Sequence, residues 1–389
     1  MASILTILSW LVVLPCLVAL SYLLIEIIAG ILPAHRKDSD GAPQRDIAIL
    51  VPAHNEDAVV ADTVRNLKSK AGACRILVVA DNCTDLTAEV ARQAGAEVVE
   101  RTDTTRRGKG FALAFGREHL AKNPPEIVIV VDADCRIGEG FVERISEAIL
   151  RHGTPAQASN LFRPDLGLPT TLQVSNFAML VKNLFRMRGM YRLGGSVGLL
   201  GTGMGFPWKE FETLQLATQD ATEDIKLTID LLSMKGSVAF EDRAQVWSSA
   251  ETVDGTVDQR KRWEHGFLRH SMRYALPLLG KGIVSLSPAQ IALGLHLLVP
   301  PLALLMMLSF ASAILAFVFY LGGGSVTPLI LLLALIGGAA VALGMTWLVK
   351  GREYLSLKSL ALLPLYILWK LPIYLGFLKN RESSWGQKS

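Results

Sequence analysis

The sequence predicts an α/β fold with a mainly parallel mixed sheet, flanked by transmembrane helices. Three observations predict it. Long apolar stretches sit at the two ends of the chain. Between about residues 46 and 135, short apolar runs alternate with segments of helical spacing, the pattern of a mainly parallel sheet. Each apolar run ends in polar residues, and in such sheets ligands bind at the carboxyl ends of the strands.

The 389 residues are 51% hydrophobic and 19% charged, with mean hydropathy +0.36. Soluble globular chains carry roughly a quarter charged residues. The balance excludes disorder, collagen and a disulfide-rich secreted scaffold, and it argues against a purely soluble protein. Net charge is 39 − 35 = +4 and the pI is near 8.8, too mild for a nucleic-acid partner by bulk charge. Cys16, Cys74, Cys83 and Cys135 form no CxxC pair and have no His at zinc-ligand spacing. Reduced thiols in a cytosolic compartment fit them.

Ile4 to Leu32 is one apolar stretch, broken among charged residues only by Glu26. As a helix it would reach about 43 Å, beyond the ~30 Å hydrocarbon core. A secretory signal peptide competes, but no basic segment precedes the run and it exceeds a roughly 7–15-residue signal core. Ile291–Tyr320, Thr327–Val349 and Leu357–Leu378 are further candidate spans, the last interrupted by Pro364, Lys370 and Pro372. Basic residues after the first span (Arg36, Lys37, Arg45), before the second (Arg260 to Lys281) and after the third (Lys350, Arg352, Lys358) put the middle of the chain in the cytoplasm. Lys379, Arg381 and Lys388 break that pattern unless the last segment is re-entrant or interfacial. Lys370 could meet a lipid phosphate, pair with Glu26, or snorkel. The expected organisation is an N-terminal span (1–32), a cytoplasmic domain (33–258), an interfacial region (259–290) and a C-terminal membrane region of two or three spans (291–389). The expected location is the inner or plasma membrane, multi-pass.

In the middle, Ile47–His54, Arg75–Ala80, Glu97–Glu100 and Ile127–Val131 read as strands. Asp57–Lys70, Asp85–Ala94 and Gly108–Lys122 read as helices. No GxGxxG follows the first strand, and Arg107-Gly108-Lys109-Gly110 lacks P-loop spacing. Asp132-Ala133-Asp134 ends a strand. Two carboxylates there suit a hard divalent cation that also bridges phosphates, although acids commonly end strands. Thr222-Glu223-Asp224 opens a helix, either as a Thr cap with acids favoured by the dipole or as a fixed general base. Gln259-Arg260-Lys261-Arg262-Trp263 reads as a solvated basic face or as a stacking and diphosphate-binding element. Beyond it, Leu268, Met272, Ala275, Leu276 and Leu279 share one helix side and Arg262, Arg269, His270 and Arg273 another, as in a helix lying on an anionic membrane.

Taken in order, Val51-Pro52-Ala53-His54-Asn55-Glu56, Asp81-Asn82-Cys83-Thr84-Asp85, Arg107-Gly108-Lys109-Gly110, Asp132-Ala133-Asp134, Thr222-Glu223-Asp224 and Gln259–Trp263 resemble the membrane-bound family-2 glycosyltransferases. These include the cellulose synthase, hyaluronan synthase and ceramide glucosyltransferase relatives. The likeness covers about residues 46–270. It implies a GT-A type, nucleotide-sugar-binding fold and inverting transfer. It further implies that Glu56 and Asp81 hold the nucleoside, that Lys109 lies near the diphosphate, and that Asp132 and Asp134 hold Mg²⁺ or Mn²⁺. Asp224 would be the catalytic base, beside Glu223 and Asp134. Gln259, Arg262 and Trp263 would close over diphosphate and acceptor, and Gly201-Thr202-Gly203 would form the acceptor-side loop. The implied donor is a nucleotide-diphosphate sugar, a UDP-sugar foremost. With few C-terminal segments, a lipid or lipid-linked saccharide acceptor fits better than a wide polysaccharide channel. A processive exopolysaccharide synthase and a catalytically silent nucleotide-binding scaffold are the alternatives. The chain departs from many relatives in having Ala80 before Asp81, where they have two acids, and in a less basic stretch after Trp385.

Overall fold

The computed structural model describes residues 2–33, 45–220, 222–248, 253–363, 366–367, 370–372, 374 and 376, with the backbone alone at 253–260. In chain order, α1 (Ala2–Gly30) precedes β1 (Ile47–Ala53), α2 (Val60–Lys70), β2 (Arg75–Asp81), α3 (Thr87–Gln93), β3 (Glu97–Arg101), α4 (Lys109–Leu120) and β4 (Ile127–Val130). Then come β5 (Cys135–Ile137), α5 (Phe141–His152), β6 (Ala156–Phe162), α6 (Thr170–Leu180), a π-helical turn (Val181–Arg186) and α7 (Met187–Gly194). The remainder is β7 (Met204–Pro207), α8 (Trp208–Phe211), α9 (Glu223–Ser233), β8 (Ala239–Ser248), α10 (Val253–Val284), α11 (Pro288–Leu297), α12 (Leu302–Leu321), α13 (Thr327–Val349) and α14 (Leu357–Ala361). Chain contacts divide these into two compact units. One holds Pro33–Arg163 and Gly195–Phe267, and the other Met1–Leu32, Pro164–Gly194 and Leu268–Arg381.

The first unit is built on a mixed eight-stranded sheet in the order β3-β2-β1-β4-β7-β6-β8-β5. β3, β2, β1 and β4 are mutually parallel, as are β6 and β8, whereas β7 runs antiparallel to β4 and β6, and β5 to β8. Every residue of β1 and β4 is buried. That is why these strands are continuous apolar runs rather than alternating ones. The register Leu50↔Val130 and Ala53↔Ala80 brings the carboxyl ends of β1, β2 and β4 to one edge. His54–Glu56, Asp81 and Asp132 follow from those ends. α4 is drawn close to the sheet at Gly116, where a Cβ would lie 2.5 Å from Leu50 Cδ1 and 3.0 Å from Val79 Cγ2.

Among the described residues, the second unit contains three helices long and apolar enough to cross a membrane: α1, α12 and α13. The apolar stretch expected at Ile291–Tyr320 is two helices, not one. Pro300 and Pro301 part α11 from α12, because proline has no N–H for the helical ladder. The last expected segment, Leu357–Leu378, is helical over α14 and is described only in part beyond it, while Lys379, Arg381 and Lys388 lie outside the described residues.

α6, the π-turn and α7 were not anticipated from the sequence. The π-turn and α7 pack on α1 at backbone distance: a Cβ on Gly30 would fall 1.8 Å from the Phe185 carbonyl, and one on Gly189 would fall 1.9 Å from that of Glu26. The Glu26 carboxylate accepts from Arg186 Nε at 2.5 Å and meets His296 Nδ1 at 2.6 Å. Its pairing is therefore with Arg186 and His296 rather than with Lys370. The Lys370 ammonium stands 5.6 Å from the centre of the Tyr366 ring. Along α10, the apolar side expected to be single is divided. Ala275 and Leu278 are buried, while Met272 and Leu276 face outward.

Candidate active site

The loops after β1 and β2 interlock. Asn55 and Asn82 both take left-handed backbone angles (φ 55° and 52°), which asparagine tolerates better than other side chains. The Asn55 side-chain oxygen accepts from Thr84 N–H at 2.8 Å, and Glu56 N–H donates to Thr87 Oγ1 at 2.7 Å. The Glu56 carboxylate remains half-buried. Asp81 is fully buried at the end of β2. Its Oδ1 accepts from Arg101 at 2.6 Å and from Asn82 at 3.1 Å, while Oδ2 has no hydrogen-bond partner among the described residues. An unsatisfied buried acceptor is costly unless a ligand supplies the donor.

After β4 the chain leaves the sheet at Asp132. Asp132 N–H donates to Thr202 Oγ1 at 3.1 Å, and Thr63 Oγ1 donates to the Ala133 carbonyl at 2.6 Å. These bonds fix the turn so that ligand atoms of Asp132, Asp134 and Cys135 lie within 4.8 Å of one another. Burial pushes the Asp134 carboxyl above the usual carboxylate range, and the neighbouring Asp132 charge adds to the push. Burial holds the Cys135 thiol well up, so it stays neutral and gives a weak bond to Asp134 Oδ1 at 3.4 Å. Two mutually repelling carboxylates backed by a neutral thiol are a donor set that a hard divalent cation relieves.

Lys109, the first residue of α4, joins three motifs. Its buried ammonium lies 2.5 Å from Asp132 Oδ1 and 3.5 Å from Glu223 Oε1, and donates to the Gly201 carbonyl at 3.0 Å. Gly110 admits the strap ahead of α9, since a Cβ there would stand 2.3 Å from the Leu216 carbonyl. Gly201 has φ +81°, and a Cβ on it would be 3.4 Å from Lys109 Nζ and 3.7 Å from Asp224 Oδ2. The glycine loop, the ammonium and the start of α9 thus share one place.

At that start, Glu223 and Asp224 have different environments. Glu223 is buried and paired with Lys109; burial pushes its carboxyl up, Lys109 opposes, and Asp224 adds to the push. Asp224 is half-buried, its Oδ1 accepting from Ile225 N–H at 2.8 Å. Thr222 does not cap the helix with its side chain. It donates instead to Asp220 Oδ1 at 3.1 Å. Arg262 and Trp263 are half-buried on α10, about one turn before Gly266, which abuts Thr222. The Gln259 side chain lies outside the described residues.

The residues Asp132, Asp134, Lys109, Gly201–Gly203, Glu223 and Asp224 therefore form one connected set, with Glu56 and Asp81 at adjacent strand ends. Two supporting residues gave no sequence signal. Gln157, buried in β6, donates to the Thr202 carbonyl at 2.9 Å and accepts from Leu200 N–H at 2.9 Å, holding the glycine loop from behind. Arg101 supports Asp81.

Residues 43–266 match the model of a family described as glycosyltransferase like family 2, which is more than half of the chain. The chain belongs to that family. It is 29% identical over 119 residues to the 4,4'-diaponeurosporenoate glycosyltransferase of Staphylococcus haemolyticus, covering 30% of each chain. It is 24% identical over 247 residues to the probable glycosyltransferase YdaM of Bacillus subtilis, covering 60% of this chain and 58% of that one. The chain thus spans less than two thirds of the length of these curated relatives. Among solved structures, the mannosyltransferase PcManGT of Pyrobaculum calidifontis, in complex with GDP-Man and Mn²⁺, superposes with a TM-score of 0.55 at 15% identity, covering 96% of this chain and 95% of that one. The GT-A type fold is shared at that level.

Proposed function

We propose that the protein is an inverting glycosyltransferase. It moves a sugar from a nucleotide-diphosphate sugar to a lipid or lipid-linked acceptor at the cytoplasmic face of a membrane, with Asp224 as the general base. The observation that carries this reading is the convergence of Asp132, Glu223 and the Gly201 carbonyl on the Lys109 ammonium, with Asp224 beside Gly201.

In this reading, Asp81 Oδ2 takes a donor from the nucleoside, and Glu56 faces the same end. Asp132 and Asp134 hold Mg²⁺ or Mn²⁺, which when bound neutralises charge on the diphosphate leaving group. The mannosyltransferase with GDP-Man and Mn²⁺ supports that choice of cation and donor class. Arg262 adds positive charge at the diphosphate, and Trp263 offers a stacking face. Gln259 is assigned beside them on sequence alone. The acceptor hydroxyl must lose a proton as it attacks the anomeric carbon. Asp224 suits this task better than Glu223, because it is the less buried of the two. A single displacement with one base inverts the anomeric carbon, and no second carboxylate nucleophile is required. The three apolar helices, together with outward Met272, Leu276 and Ile283 near Arg269, Arg273 and Lys281, support an acceptor drawn from the bilayer.

The test is transfer of radiolabel from a panel of UDP- and GDP-sugars to native membranes. Single-sugar products in the lipid phase are expected. A ladder of long saccharides would assign a processive synthase, and no transfer from any donor would leave the silent scaffold.

A further inference from the structure

Lys109 is placed where two positive charges compete. Only 8% of the residue is exposed, and a buried ammonium is stable only when paired. Its partners are Asp132 Oδ1, Glu223 Oε1 and the Gly201 carbonyl, drawn from three distant parts of the chain. Asp132 also belongs to the Asp132–Asp134–Cys135 cluster. A divalent cation on that cluster would face an ammonium a few ångströms away, at a site only partly screened by water. The lysine has already neutralised one of the cluster's two carboxylates. A bare cation therefore meets a weakened anion and a repelling neighbour. A diphosphate arriving with the cation reverses the balance, since its own negative charge attracts both.

Resting on the assignment of Asp132 and Asp134 as the metal pair, we propose that Lys109 is an internal counter-cation that makes divalent-cation binding conditional on a nucleoside diphosphate. The cation then joins the site together with the nucleotide rather than ahead of it. Lys109 is in this sense a positioning residue for the cation.

The test uses the purified full chain in lipid nanodiscs and follows free Mn²⁺ by its room-temperature EPR signal, with Mn²⁺ alone and with Mn²⁺ plus UDP or GDP. Lys109→Gln removes the charge and can still donate to the Gly201 carbonyl; Lys109→Arg keeps the charge. In the unaltered protein, nucleotide should tighten Mn²⁺ binding on the order of tenfold or more. Lys109→Gln should bind Mn²⁺ alone on the order of tenfold more tightly than the unaltered protein and lose most of the nucleotide enhancement. Lys109→Arg should retain the enhancement. A tighter site cannot arise from misfolding, and Lys109→Met carries the same expectation should the glutamine variant not fold. Equal or weaker Mn²⁺ binding in the neutral variants, with binding lost in Asp134→Asn, overturns the counter-cation role while leaving the metal pair intact. Unchanged Mn²⁺ binding in Asp134→Asn overturns the metal pair and the counter-cation role with it.

Discussion

Gly266 on α10 lies against Thr222 at the start of α9: a Cβ at 266 would fall 2.4 Å from Thr222 Cγ2 and 2.7 Å from its Oγ1. This contact joins the helix bearing Arg262 and Trp263 to the one bearing Asp224. Thr222 is buried and tied to Asp220, so it has little room to give. Gly266→Ala should force the two helices apart, an overpacking cost of about 1–3 kcal/mol. Transfer is expected to fall about tenfold or more, with nucleotide binding much less affected. Adding Thr222→Ser, which removes Cγ2, should restore part of the rate. Steady-state transfer by the two single variants and the double variant checks this coupling.

Asp224→Asn keeps size and polarity but cannot take a proton. Nucleotide and Mn²⁺ binding should persist, while the transfer rate falls roughly 10²–10⁴-fold. Isothermal titration with nucleotide, alongside single-turnover transfer, separates the two effects. Near-normal turnover would remove Asp224 from the role of base.

Glu26 holds Arg186 and His296 in the second unit, and none of the three is substantially exposed. Glu26→Gln strands the Arg186 guanidinium, and breaking a buried pair from one side costs about 3–5 kcal/mol. A clear drop in melting temperature is expected in detergent. Adding Arg186→Met should recover much of it, because no uncompensated charge then remains. Thermal melts of the single and double variants supply the measurement.

A hydrogen bond from Arg75 holds the Glu97 carboxyl down, to about 2; burial opposes it, and His119 adds to the lowering. A folded-state value below the unfolded one means stability that is present above about pH 4.3 and lost as pH falls toward about 2. The melting-temperature advantage of the unaltered protein over Glu97→Gln should therefore be largest at neutral pH. It should shrink steadily between about pH 5 and pH 3. An advantage that stays constant across that window would rule out this pair as a source of acid sensitivity. Because Glu97 is more than a third exposed, the effect should be small and weakened by salt.

Much of the first unit was legible because local chemistry repeats there. β1, β2 and β4 are largely apolar, largely buried runs, and polar residues (His54 and Asn55, Asp81, Asp132) stand at or just beyond their ends. Burial demands such runs, so sequence displays them. The expected helices begin a little early, as with Asp57 where α2 starts at Val60, since loop residues such as Glu56 accept the first helical N–H groups from outside. The segment 164–194 was not legible. Its π-turn and α7 are held by backbone approach at Gly30 and Gly189, and its basic residues Arg186 and Arg192 look like surface until Glu26 and the end of α1 are beside them.

The amino-acid sequence alone determined which residues could do chemistry: the carboxylates at strand and helix starts, the glycines, the basic run before Trp263, and the apolar lengths able to enter a bilayer. Those properties reside in side-chain type and short-range period, which chain order preserves. Tertiary structure alone decided that Lys109 bonds to Asp132, that Glu223 is sequestered while Asp224 stays half-open, and that Glu26 answers to Arg186. Each of these is a distance between groups far apart along the chain, and such distances are set by packing, not by local composition.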